Sequence, residues 1–166
     1  MNRRQTAIQE MERLTDQLIR ETEGSSEAVL RWKPSEEAWS IMEILCHLDE
    51  AVPYWLKELE RVVESPGMEW GRGLQHEGRL AAVASAQHRE LDEIRQGILH
   101  NNQIAKSVLS SIRDEDLDIE APSRNPRFGT KPMSFIVSHL LIEHLQTHLN
   151  QLKRNLQQYE QVNRQI

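Results

Sequence analysis

Apolar residues recur at helical spacing along four long stretches of this chain, and no stretch alternates apolar and polar residues over a strand's length. In the first, residues 2–23, Ile8, Met11, Leu14, Leu18 and Ile19 share one face before Gly24-Ser25-Ser26 ends the helix. Ser26 is placed to cap a brief helix holding Ala28, Val29 and Leu30. Pro34 then disfavours helix at Lys33. The second long helix starts sharply at Ser40-Ile41-Met42-Glu43, a capping box with serine at the cap and glutamate three residues on. Its stripe is Ile41, Ile44, Leu45, Leu48, Val52, Trp55, Leu56 and Leu59, and Pro53 inside it predicts a kink. Residues 82–112 read as one long third helix, weakened in the middle by Gly97. The fourth starts at Lys131 or Pro132 and runs to about Gln158, with Val137, Leu141, Leu145, Leu149, Leu152 and Leu156 as its core face. Long connections separate these helices. Residues 66–80 carry Gly67, Gly71, Gly73 and Gly78, and residues 118–131 form a polar loop with Pro122, Pro126 and Gly129. A glycine-rich loop of that length can cover a bundle mouth, with Trp70 and His76 reaching inward. The pattern predicts an all-α four-helix bundle filling one domain over residues 1–166.

Charge and composition exclude several function classes. The formal net charge is −6, against the basic surface that nucleic-acid binding usually needs. Cys46 is the lone cysteine, so no intrachain disulfide forms, which fits a reducing compartment. The N-terminus leads into a polar amphipathic segment rather than an apolar signal core, and no apolar run approaches the roughly 20 residues needed to span a bilayer. A soluble cytoplasmic protein is expected, with no nucleic-acid or membrane partner.

The segment Glu143-His144-Leu145-Gln146-Thr147-His148 carries the strongest chemical signal. Histidines four apart on a helix lie one above the other on one face and supply half of a metal site. His144 and His148 flank the core face, and His47 lies at the edge of the second helix's stripe. Neutral imidazole is the commonest metal ligand. Three imidazoles leave the charge of a divalent ion uncompensated and coordination positions open. The competing reading of the pattern is three partly exposed or locally satisfied helix-edge histidines. Imidazole suits zinc, nickel, copper and iron alike.

The stretch Trp32-Lys33-Pro34-Ser35-Glu36-Glu37-Ala38-Trp39-Ser40-Ile41-Met42-Glu43-Ile44-Leu45-Cys46-His47-Leu48 closely resembles the first signature of the DinB-like superfamily. That signature has a tryptophan-proline opening, a Trp-Ser helix start and a His-Leu pair two turns in. His144-x-x-x-His148-x-x-Gln151 resembles the second signature, in the same order and at the same spacing. The resemblance implies a four-helix bundle, often a homodimer, with metal ligands at His47, His144 and His148 and nickel or zinc as the first candidates and iron as a further one. Many members have a histidine just before the last ligand, where this chain has Thr147. Characterised members include thiol S-transferases using low-molecular-weight thiols such as bacillithiol or mycothiol, and a mycothiol-dependent isomerase. The resemblance therefore implies a transferase that activates a small-molecule thiol and joins it to an electrophilic substrate. The alternatives are a non-catalytic, stress-related metal-binding protein and a metal-dependent hydrolase, the latter lacking an evident carboxylate base.

Other residues read as follows. Cys46 falls away from the stripe and reads as a passive thiol. Trp39 reads as a packing residue at the helix entry rather than a binding platform, and Trp55 as a core residue or, near the site, a pocket lining. Tyr54 is a candidate to face the metal and donate a proton. Gln151, three residues beyond His148, either orients that ligand or is a surface amide. His76, His88, His100 and His139 lack a partner at ligand spacing, and Glu143 points away from the histidine column. The polar segment Gln157–Gln161 is expected to fray.

Overall fold

Four long helices are the frame, as the apolar periodicity predicts. In this computed structural model, which describes residues 1–165, they are α1 (Arg3–Thr22), α3 (Ile41–Glu64), α5 (Leu91–Ser111) and α7 (His144–Arg164). Short helices α2 (Glu27–Arg31) and α4 (Glu77–Ala84) pack against α3. The capping signals form as read. Ser40 Oγ accepts from the Glu43 amide at 3.1 Å, and the Glu43 carboxylate accepts from the Ser40 amide at 3.0 Å. Ser26 Oγ accepts from the Val29 amide at 3.3 Å. The α3 helix continues through Pro53 to its end. No helix among the described residues is long and apolar enough to cross a membrane.

The order of the helices around the bundle is not the order of the chain. Both α1 and α3 pack on α5 and on α7, whereas α1–α3 and α5–α7 are not major contacts. Consecutive long helices α1 and α3 therefore lie across a diagonal, as do α5 and α7. Their connections must cross the end of the bundle, which is why those segments are long. The core between the four is aliphatic: Leu14, Leu18, Ile44, Leu56, Ile94, Leu109, Leu141, Leu149 and Leu152 are fully buried. Each such side chain contributes roughly 1.5–3 kcal/mol relative to exposure.

Four local expectations are corrected. The third stretch is two helices. Residues 85–88 form a 3-10 turn, Arg89 and Glu90 are extended, and α5 starts at Leu91. The break is stabilised because the Arg31 guanidinium donates to the Ala86 and Arg89 carbonyls at 2.8 and 2.9 Å. The loop over 118–131 holds a small hairpin, β1 (Glu120–Pro122) antiparallel to β2 (Thr130–Pro132). The last helix opens with one α-turn, α6 (Met133–Phe135), then widens into a π-helix over Ile136–Glu143 before α7 begins at His144. Finally, the C-terminal segment stays helical to Arg164, and Tyr159 meets the edge of Trp32 at 5.7 Å between ring centroids.

The two loops at one end are sewn together. The Trp70 amide donates to Pro122 O at 3.1 Å, and the Arg124 amide to Trp70 O at 2.7 Å. Trp70 reaches inward as expected and is fully buried, its indole N–H donating to Ala121 O at 2.8 Å. Gly71 follows with φ +91°, and a Cβ there would lie 3.1 Å from Ser123 Oγ, so both backbone and neighbour call for glycine. Glu58, buried on α3, fastens the arrangement. It accepts from the Gly71 amide at 2.9 Å, from Arg124 at 2.9 Å and from Arg61 at 2.8 Å.

Candidate metal centre

Because α3 and α7 are neighbours in the bundle, the edge of one stripe faces the edge of the other. His47 comes from α3, two turns inside its cap, and His144 and His148 open α7. The Nε2 atoms of His47 and His144 are 3.0 Å apart, as are those of His144 and His148. One ring nitrogen from each of the three histidines lies within 4.8 Å of the others. Two nitrogens each about 2.0–2.1 Å from a common ion would stand about 3.0–3.4 Å apart, so the observed edges match a shared ligand sphere.

The cluster is poorly satisfied by hydrogen bonds alone. A ring nitrogen has one in-plane position, holding either a proton or a lone pair. His144 Nε2 faces two neighbours, so at most one of its contacts is a well-formed hydrogen bond. His47 Nδ1 and His144 Nδ1 are buried without a partner. His148 differs: its Nδ1–H donates to Gln151 Oε1 at 2.8 Å, which leaves a lone pair on Nε2, directed at the cluster. A cation among the three Nε2 atoms is compatible with every lone pair, whereas protons are not.

Electrostatics push the same way. His47 is only 3% exposed. Burial first, then the neighbouring His144 and His148, lower its pKa to about 2. Burial and His148 lower that of His144 to about 3. His148 is lowered too, chiefly by burial, although its bond to Gln151 acts in the opposite sense. All three are thus neutral near pH 7, the form that ligates metals. The Trp39 ring packs 5.0 Å from His47 and is stacked 5.8 Å from His148, so the residue read as helix-start packing is a wall of the cluster. Its carbonyl accepts from the buried Asn155 side chain at 2.9 Å.

One face of the cluster is open. A cavity of about 140 Å³ is lined by His47, His144, Trp55, Arg72, Arg79 and Arg127, among others, and no carboxylate of the described residues lines it. Tyr54 is not part of it. Its hydroxyl donates to Glu58 at 3.3 Å and its ring lies under the Arg72 guanidinium, so it does not serve as the expected acid. Burial and the Glu58 charge raise the phenol to about 12. Cys46 is buried against the turn after α4, and burial raises its pKa despite Arg89 and Ser85 nearby, which agrees with a passive thiol. The remaining histidines lie outside the cluster. His76 caps α4 by accepting from the Gly78 amide at 3.1 Å, His88 and His100 are exposed, and His139 pairs with Glu143 at 2.8 Å. The sequence reading missed the arginines, whose only trace in the sequence is position within two loops.

Comparison with known proteins places this geometry in a family. The sequence model of the DinB superfamily matches residues 7–152. No curated protein matches the sequence. Among solved structures, YfiT from Bacillus subtilis, described as a probable metal-dependent hydrolase with an unusual four-helix bundle topology, superposes with a TM-score of 0.80 at 9% identity, over 95% of this chain and 87% of that one. A conserved protein from Enterococcus faecalis gives 0.73 at 13% identity, over 95% and 97%. A mutant of mycothiol-dependent maleylpyruvate isomerase gives 0.69 at 15% identity, over 90% of this chain and 60% of the isomerase. At these identities the likeness is one of fold.

Proposed function

Since this chain belongs to the DinB superfamily, we propose that it is a divalent-metal-dependent thiol S-transferase whose ligands are His47, His144 and His148. The observation that carries the reading is the convergence of three neutral imidazoles at the edge of a cavity. A divalent ion held by these three histidines would supply Lewis acidity, the chemistry that lowers the pKa of a small thiol toward neutral pH. The chain's own residues do the rest. The histidines contribute no charge that would offset the ion's. Gln151 fixes the tautomer and rotation of His148. Trp39 packs on His47 and Trp55 lines the cavity, so each gives the centre an apolar side.

Thiol chemistry is favoured over hydrolysis by what the cavity lacks. Activating water would ordinarily call for a general base within hydrogen-bond reach, and no aspartate or glutamate lines the cavity. A thiol, more acidic than water by several units, has less need of one.

Elemental mass spectrometry of tag-free protein tests the centre. Near-stoichiometric nickel, zinc or iron is expected, and loss of it in His47→Ala and His148→Ala variants that stay folded. Gln151→Leu should retain the metal with affinity reduced about 10–100-fold, because only the orientation of one ligand is lost. In the cobalt-loaded protein, a low-molecular-weight thiol such as bacillithiol should then produce a sulfur-to-metal charge-transfer band. A protein that takes up no metal on reloading refutes the centre. Metal uptake with no thiol perturbation refutes the transferase reading and turns the search to the hydrolase.

A further inference from the structure

In a chain of net charge −6, the end of the bundle beside the histidines gathers Arg72, Arg79, Arg124 and Arg127. Two of them are neutralised. Arg72 forks onto Glu50 at 2.7 and 2.5 Å, and Arg124 reaches Glu58 at 2.9 Å. The other two have no carboxylate partner among the described residues. Arg79, half-buried on α4, donates to Leu74 O at 3.0 Å and lies 5.2 Å from the Trp39 ring centre. Arg127, exposed on the hairpin loop, lies 5.9 Å from the Phe128 ring centre. Both line the 140 Å³ cavity beside His47 and His144, together with the Asn125 amide.

A half-buried guanidinium with no carboxylate in direct contact is unfavourable in a resting protein. The pKa of Arg79 is held below the ordinary arginine value by burial first and then by the charge of Arg72, against which the more distant Glu50, itself occupied by Arg72, acts only in part. A guanidinium presents a planar fork of donors that matches a carboxylate or a phosphate. Among the described residues, the cavity walls offer no acid to compete for it.

We propose that Arg79 and Arg127 form an anion subsite beside the three histidines, and that the substrate of this centre carries an oxyanion, a carboxylate or phosphate, held there. The statement about substrate rests on the metal-centre reading, but the binding of the anion does not require the ion. At about 30 Å³ per water, the cavity has room for some four or five waters, so it takes the anionic end of a substrate and leaves the remainder of a larger molecule outside.

Calorimetric titration of the full chain, metal-free and zinc-loaded, in low-chloride buffer tests the subsite. The titrants are succinate, inorganic phosphate and the neutral dimethyl succinate. Succinate or phosphate is expected to bind saturably at one site per chain in both forms, and the diester is not. Tighter succinate assigns a carboxylate, and tighter phosphate a phosphate. Arg79→Gln and Arg127→Gln should each weaken binding at least about tenfold. Arg13→Gln, which removes an exposed charge on α1, should change nothing. Arg127 is exposed, so its variant keeps the fold and the comparison stands even if Arg79→Gln does not fold. Absence of saturable binding up to roughly 20 mM overturns the proposal, as does binding unchanged in the folded arginine variants. Binding confined to the zinc-loaded form and indifferent to Arg79 and Arg127 overturns it while leaving the metal centre intact. Arginine-dependent binding by a protein that never takes up metal keeps the subsite and removes the metal reading.

Discussion

At His47, His144 and His148, burial sets the charge state before any ligand arrives. Their pKa values fall to about 2 for His47 and about 3 for His144, and below the usual range for His148. In the unfolded chain the same groups titrate near 6.5. Between pH 6.5 and the folded values, the unfolded state of the metal-free protein therefore binds more protons than the folded state. Stability is fully present above that range and is lost as the pH falls through it. The urea midpoint of metal-free protein should drop from pH 7 to pH 5, and His47→Ala should flatten that dependence. A wild-type midpoint independent of pH over this interval would refute the assignment of three buried neutral imidazoles. The i,i+4 relation of His144 and His148 was legible because both lie inside one regular helix. The roles of Tyr54 and Arg79 were not, since the Arg72 guanidinium over the Tyr54 ring and the Trp39 ring beside Arg79 come from other segments of the chain.

Among the elements, α5 illustrates how a local reading can misjudge a residue. Gly97 appears as a weak point in a helix, and an alanine there would gain about 1 kcal/mol by propensity alone. In the bundle, a Cβ at position 97 would stand 2.3 Å from Asp49 Oδ1 and 2.9 Å from its Cγ. Asp49 is not free to move aside, because it pairs with Arg89 at 2.9 Å and accepts from Asn101 at 3.1 Å. Gly97→Ala should therefore destabilise the protein by about 1–3 kcal/mol, read as a lower midpoint in chemical denaturation. An unchanged or raised midpoint would show that the α3–α5 approach is looser than these distances. The π-helical stretch before His144 escaped the sequence for a related reason. Its wider i→i+5 turns contain no proline or glycine to mark them, and Ile136, Val137, Leu140 and Leu141 along them are buried in the core.

Across the whole molecule, Glu58 joins the bundle to the loops that border the candidate site. Burial would raise its pKa, but hydrogen bonds from Arg61 and the Gly71 amide, with the Arg61 and Arg124 charges, outweigh that and lower it. Glu58→Ala leaves the Gly71 amide and two guanidiniums without their acceptor. A loss of about 1–3 kcal/mol is expected by thermal or urea unfolding, with faster amide exchange at Gly71 and Arg124. Unchanged exchange at both amides would show that the Trp70 and hairpin bonds hold the loops by themselves. By itself the sequence determined where most of the long helices lie, how α3 and the short α2 are capped and which face of the last helix carries its two histidines. Those are properties of backbone period and of side chains a few residues apart, so short-range sequence contains them. The tertiary structure alone decided that α3 stands beside α7 while α1 and α3 lie across a diagonal. It also decided that the two loops close over one end and that, among the described residues, Arg72 and Arg124 meet acids while Arg79 and Arg127 do not. The reason is physical: an apolar stripe specifies that a helix must be buried, and the same stripe can be buried against either neighbour. The choice is made by the packing of the assembled core and by the reach of the connections.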